Sequence, residues 1–128
     1  MDNRPIGIFD SGVGGLTVAK EILKALPNEN IVYFGDTARV PYGDKSTEVV
    51  TKYSKQIVRF LLTKNVKAII TACNTVSSNS LEALRAEFDV PFVGVVEPGV
   101  KSAVSTTVNK KVGVIGTEAT IRSNMYSR

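Results

Sequence analysis

The sequence contains no histidine and a single cysteine, Cys73. The missing histidine excludes a Ser-His-Asp triad, a Cys-His pair and every imidazole metal ligand. One cysteine excludes an internal disulfide framework and a Cys-rich zinc site. No metal site is therefore expected. Long apolar runs are also absent: behind Met1-Asp2-Asn3-Arg4-Pro5 the first run is only Ile6 to Phe9. That is too short for a signal-peptide core or a membrane span. A lone thiol without an export signal points to a reducing, cytoplasmic setting. No charge of one sign dominates: 16 Lys+Arg stand against 12 Asp+Glu, a net +4. The densest basic places, Lys52/Lys55/Arg59, Lys64/Lys67 and Lys110/Lys111, are scattered and read as solvated faces. Direct nucleic-acid binding is not expected, while a small anionic substrate suits a mildly positive field.

What is there is an ordinary globular composition, 43% hydrophobic and 22% charged in 128 residues. Disordered and collagen-like classes are excluded. The length fits one domain and a sizeable core. Five short apolar runs recur: Ile6–Phe9, Ile31–Phe34, Ala68–Ile70, Phe92–Val96 and Val112–Ile115. Runs of this kind suit strands buried on both faces. Helical spacing lies between them: Leu16, Ala19, Ile22, Leu23 and Leu26 first, then Val49, Tyr53, Ile57, Phe60 and Leu61. Asp44 or Ser46 is available to cap the second helix. Leu81, Leu84 and Phe88 mark a third helix, and a weaker fourth covers Val100–Val108. The order predicts an α/β fold with a mostly parallel sheet flanked by helices. Ile6–Ser11 and Val112–Thr117 echo each other, both Gly-punctuated runs ending in a hydroxyl. The second copy is either a fifth strand or the opening of a second, similar unit.

Open parallel sheets bind ligands at the carboxyl ends of their strands. Small, polar or acidic residues follow every run: Asp10-Ser11-Gly12-Val13-Gly14-Gly15, Gly35-Asp36-Thr37 and then Pro41-Tyr42-Gly43, Thr71-Ala72-Cys73-Asn74-Thr75, Glu97-Pro98-Gly99 and Gly116-Thr117. The glycine loop is not a dinucleotide fingerprint, because Thr17 stands where the last glycine belongs, and no Gly-Lys-Ser/Thr follows. Asp10 would also oppose a pyrophosphate. The loop is then a turn needing positive φ or a backbone cradle for a smaller anion such as a carboxylate. Cys73 is either a small buried hydrophobe or a reactive thiol whose pKa a helix N-terminus lowers. Asp10 is a cap for the first helix or a neighbour that accepts and returns the Cys73 proton.

Three blocks, Ile6–Val18, Tyr33–Gly43 and Thr71–Thr75, together resemble the signature blocks of bacterial glutamate racemases, within the aspartate/glutamate racemase family, in order and spacing. The resemblance covers the whole chain. It implies interconversion of L- and D-glutamate, without a cofactor, to supply D-glutamate for peptidoglycan. It implies that two thiols on opposite faces of the substrate take and return the Cα proton. Cys73 matches the first thiol and Asp10 the carboxylate that assists it. Ser11, Tyr42, Gly43, Asn74 and Thr75 match residues that hold the amino acid, and Thr117 is a further contact. Family members are about twice this long, with a second cysteine, a threonine and a histidine in their second half. On that template residues 1–97 form the first α/β domain, lacking its last elements, and residues 98–128 begin a second, truncated one. The expectation is a fragment that is inactive alone and that hides its exposed apolar surface in a homo-oligomer. Two alternatives stand beside it: a racemase for aspartate or a hydantoin, and a non-catalytic interaction module of the kind that binds DNA gyrase.

Overall fold

The structure is a computed structural model that describes residues 1–127. Among the described residues, four strands form one parallel sheet in the order β2-β1-β3-β4. They are β1 (Ile6–Asp10), β2 (Ile31–Gly35), β3 (Ala68–Thr71) and β4 (Phe92–Gly94). Ile8 of β1 lies between Tyr33 of β2 and Ile70 of β3, so β1 is central. The chain steps from β1 to β2 on one side, then crosses back to β3 on the other. The sheet therefore changes direction between β1 and β3, and their carboxyl ends open a crevice there.

The inner strands β1 and β3 are apolar because both faces of the sheet are covered there. Ile6, Ile8 and Ile70 pack with Ala19, Val18 and Ile22 of α1 (Leu16–Ala25). Phe9 and Ile69 point the other way, into a cluster with Val50, Ile57, Val58 and Leu61 of α2 (Thr47–Thr63). Gly7 has to be small, since a Cβ there would meet Leu61 and Val66 at 3.3 Å. Ser46 caps α2, its hydroxyl accepting the Val49 N–H at 3.2 Å. Full burial of Phe9, Ile57 and Leu61 contributes roughly 1.5–3 kcal/mol each.

The third helical pattern forms α4 (Leu81–Glu87), and a short helix, α3 (Asn74–Asn79), precedes it. Ser80 lies between them, its hydroxyl bonded to that of Thr51 in α2 at 2.7 Å. The fourth helix, α5 (Val96–Thr106), begins four residues before the expected Val100. Pro98 is tolerated in its first turn, where its missing N–H would have no intrahelical partner. α6 (Glu118–Arg122) and a 3₁₀ turn (Met125–Ser127) close the described chain.

The fifth predicted strand does not form. Val112–Ile115 joins no sheet, and Ile115 is fully exposed. This short apolar run finds no neighbouring strand to pair with among the described residues, so hydrogen bonding does not fix it as β structure.

Candidate active site

The candidate residues converge at the β1/β3 crevice. Asp10 ends β1 and Ser11 follows it; Cys73 precedes α3, and Asn74 and Thr75 are its first two residues. These five and Thr117 line one cleft of about 390 Å³, together with Gly14, Thr17, Val18, Ala72 and Val95. Cleft walls of this size suit a small polar ligand. A larger cavity of about 680 Å³ lies between α4, β4 and α5 and contains none of the candidate residues. Its charges are already paired, Arg85 with Glu82 and Lys101 with Glu97. It holds neither the thiol nor Asp10, so chemistry is assigned to the smaller cleft.

The glycine loop is shaped by crowding. Among the described residues no glycine has a positive φ, which corrects the turn reading of Gly12–Gly15. A Cβ on Gly15 would come within 2.7 Å of the Asp10 Cβ and 2.8 Å of the Tyr33 hydroxyl. Gly15 instead brings its N–H to 2.8 Å from the Asp10 carboxylate. The Tyr33 hydroxyl donates to the Gly12 carbonyl at 2.9 Å, pinning the loop to β2. Asp10 is buried and held pointing along the crevice.

Cys73 is buried, with its thiol 3.8 Å from the Ser11 hydroxyl. Burial pushes its pKa up, and the nearby Asp10 charge pushes the same way. The backbone N–H groups of Val76 and Ser11 and the Ser11 hydroxyl pull it down, without winning. This reverses the expectation that a helix start would lower it. The helix is only six residues long, and desolvation of the thiolate costs more than its first N–H groups return. At neutral pH Cys73 rests as a protonated thiol.

Thr75 and Thr117 lie 42 residues apart in the chain, yet their hydroxyls meet at 2.9 Å. Thr117 also caps α6, accepting the Thr120 N–H at 3.3 Å. Asn79 ties the two elements by donating to the carbonyls of Thr75 (2.9 Å) and Ala119 (3.2 Å).

Tyr42 and Gly43 do not line the cleft. Tyr42 is almost fully buried, and its hydroxyl donates to Asp36, which also pairs with Arg39 at 2.7 Å. Arg39 stacks on the Tyr53 ring, 4.0 Å from its centroid. Gly43 serves by being small: a Cβ there would overlap the Thr117 side chain. Its carbonyl accepts the Ala119 N–H at 3.3 Å. The segment therefore seats Thr117 from behind. Sequence reading put Asp36 at a strand exit without assigning it this role. Asn79 and Tyr126 were missed, since partners 40 and 52 residues away leave no local signal. Among the described residues no cluster of acidic or thiol side chains suits a metal ion.

The family model for Asp/Glu/hydantoin racemases matches residues 6–128. The chain belongs to that family. A glutamate racemase from Geobacter metallireducens is 58% identical over 128 residues, all of this chain and 47% of that protein. The solved glutamate racemase from Aquifex pyrophilus is 54% identical, with a TM-score of 0.94 over 96% of this chain and 49% of that one. The Francisella tularensis glutamate racemase, solved in complex with D-glutamate, is 48% identical, with a TM-score of 0.89 over 99% of this chain and 47% of that one. The chain thus spans about half the length of the curated relatives it matches. No described helix is long and apolar enough to cross a membrane.

Proposed function

We propose that this chain supplies one face of a glutamate racemase site, with Cys73 as the base that takes and returns the Cα proton. The observation that carries the reading is the position of Cys73. It is a buried thiol at the sheet's change of direction, between Asp10 and Ser11 on one side and Asn74 and Thr75 on the other. The family membership and the D-glutamate complex of the Francisella tularensis relative support glutamate as substrate.

The chemistry follows from the groups present. The resting thiol is neutral, so it must lose its proton before acting as a base. Asp10 is the acceptor to hand, and the ammonium group of a bound amino acid favours the thiolate by its charge. The thiolate then takes the Cα proton, forming S–H and leaving the electron pair on Cα, delocalised into the α-carboxylate. Donors at Ser11, Asn74, Thr75 and Thr117 stabilise that added charge. Return of the proton to the same face regenerates the starting enantiomer. Inversion needs a second acid on the opposite face, and these 128 residues hold no second thiol. Tyr42 and Gly43 act in this proposal by seating Thr117. Once a second acid completes the site, the D-glutamate formed would serve peptidoglycan synthesis. Residues 98–128 are read as the opening of a second unit like the first, a reading that the unpaired Val112–Ile115 segment favours.

The test uses the single thiol as its own reporter. Glutamate should protect Cys73 from iodoacetamide, and Thr75→Ala should raise the concentration needed. Equal alkylation rates with and without saturating glutamate would refute the site.

A further inference from the structure

We propose that Tyr126 is a positioning residue that fixes which end of the Asn74 side chain faces the substrate. The inference rests on the glutamate site proposed above and deepens it. Asn74 opens α3 directly after Cys73 and lines the cleft. Its amide has two ends of opposite character, an accepting oxygen and a donating NH₂. The Tyr126 hydroxyl lies 2.5 Å from Oδ1 and donates to it. The oxygen is thus the end of the amide that meets the tyrosine. With Oδ1 held by Tyr126, the NH₂ is the end left for the ligand. No hydrogen bond engages Nδ2 among the described residues.

The chemical consequence is a sign. An amide oxygen turned into the cleft would add a second acceptor beside Asp10 and repel a carboxylate. The NH₂ adds a donor beside Ser11, Thr75 and Thr117, which suits an anionic carboxylate and the charge that builds on it. Tyr126 reaches this position because the 3₁₀ turn Met125–Ser127 packs against α5 and α6. Gly99 of α5 lies beside it, where an added Cβ would sit 3.8 Å from the Tyr126 hydroxyl. Asn74 itself is exposed, so its own packing does not fix the amide.

The test combines Tyr126→Phe, which removes only the hydroxyl, with Asn74→Ala and the double variant. Two readouts are taken on ¹⁵N-labelled chain: the Asn74 side-chain NH₂ resonance without ligand, and the glutamate concentration that half-protects Cys73 from iodoacetamide. Tyr126→Phe is expected to move the Asn74 NH₂ resonance and to raise that concentration about three- to tenfold, the range for one hydrogen bond. The double variant is expected to need no more glutamate than Asn74→Ala alone, because Tyr126 acts through Asn74. An unmoved Asn74 resonance overturns the proposal. So does a Tyr126→Phe loss that persists in full in the Asn74→Ala background, which would mark a general structural effect. If glutamate fails to protect the unsubstituted chain, the racemase reading falls. The resonance then still decides whether Tyr126 orients Asn74.

Discussion

At the scale of single residues, Cys73 and Asp10 work against each other at rest. Burial raises the thiol's pKa and the Asp10 charge adds to it. Asp10→Asn keeps an acceptor for the Gly15 N–H and removes the charge. The thiol should then ionise more readily, and Cys73 alkylation at pH 8 should quicken. A slower reaction in Asp10→Asn would mean that Asp10 activates the resting thiol directly. Tyr42 supplies the second titration. Burial and its bond to Asp36 raise its pKa far above the ordinary 10. The native state therefore keeps protons on Cys73 and Tyr42 that the unfolded chain releases. Their contribution to stability is complete below pH 9, the ordinary thiol value, and is lost as pH rises through 9 and then 10. Urea midpoints at pH 8, 9.5 and 10.5 should fall in that order, and Tyr42→Phe should flatten the last step.

At the scale of elements, the close approaches around the cleft decide what can be substituted. Gly15→Ala sets a methyl against the Asp10 Cβ and the Tyr33 hydroxyl. It should cost about 1–3 kcal/mol by denaturant unfolding. A stability within 0.5 kcal/mol of the unsubstituted chain, roughly the scatter of a surface change, would show that the loop yields freely. Leu61→Ala, deep under the sheet in α2, should cost about 2–5 kcal/mol in the same measurement, with the cleft unchanged. These elements were largely legible in the sequence. Apolar runs marked β1 to β4, most clearly β1 and β3, where burial on both faces leaves no polar alternation to confuse. The strand exits marked Asp10, Ser11, Cys73, Asn74 and Thr75 because a parallel sheet collects its exits on one edge. Val112–Ile115 misled, since its pattern is strand-like and only a partner strand makes a strand. Tyr42 and Gly43 were legible as named positions and their roles were not, since Tyr42 is held by Asp36 and Gly43 abuts Thr117, a residue 74 positions away.

At the scale of the whole molecule, the described sheet ends at β4, which pairs only with β3. Val93 on that edge is half exposed, and the apolar cavity of about 680 Å³ opens beside it. Val104 of α5, Leu16 and Leu23 of α1, and Leu26 just after it also face solvent. An unpaired strand edge beside apolar surface favours association with a second copy. The 128-residue chain should therefore scatter light as a dimer or larger species at micromolar concentration, and a monodisperse monomer would contradict this. The cleft, rather than the edge, carries the proposed chemistry, in which one thiol serves one face of glutamate. The direct measurement is solvent deuterium entering the Cα position of L- and D-glutamate in D₂O, followed by proton NMR with the chain and with Cys73→Ser. The account predicts exchange into one enantiomer without inversion, abolished in Cys73→Ser. Sustained production of the opposite enantiomer, or exchange that survives Cys73→Ser, would contradict it.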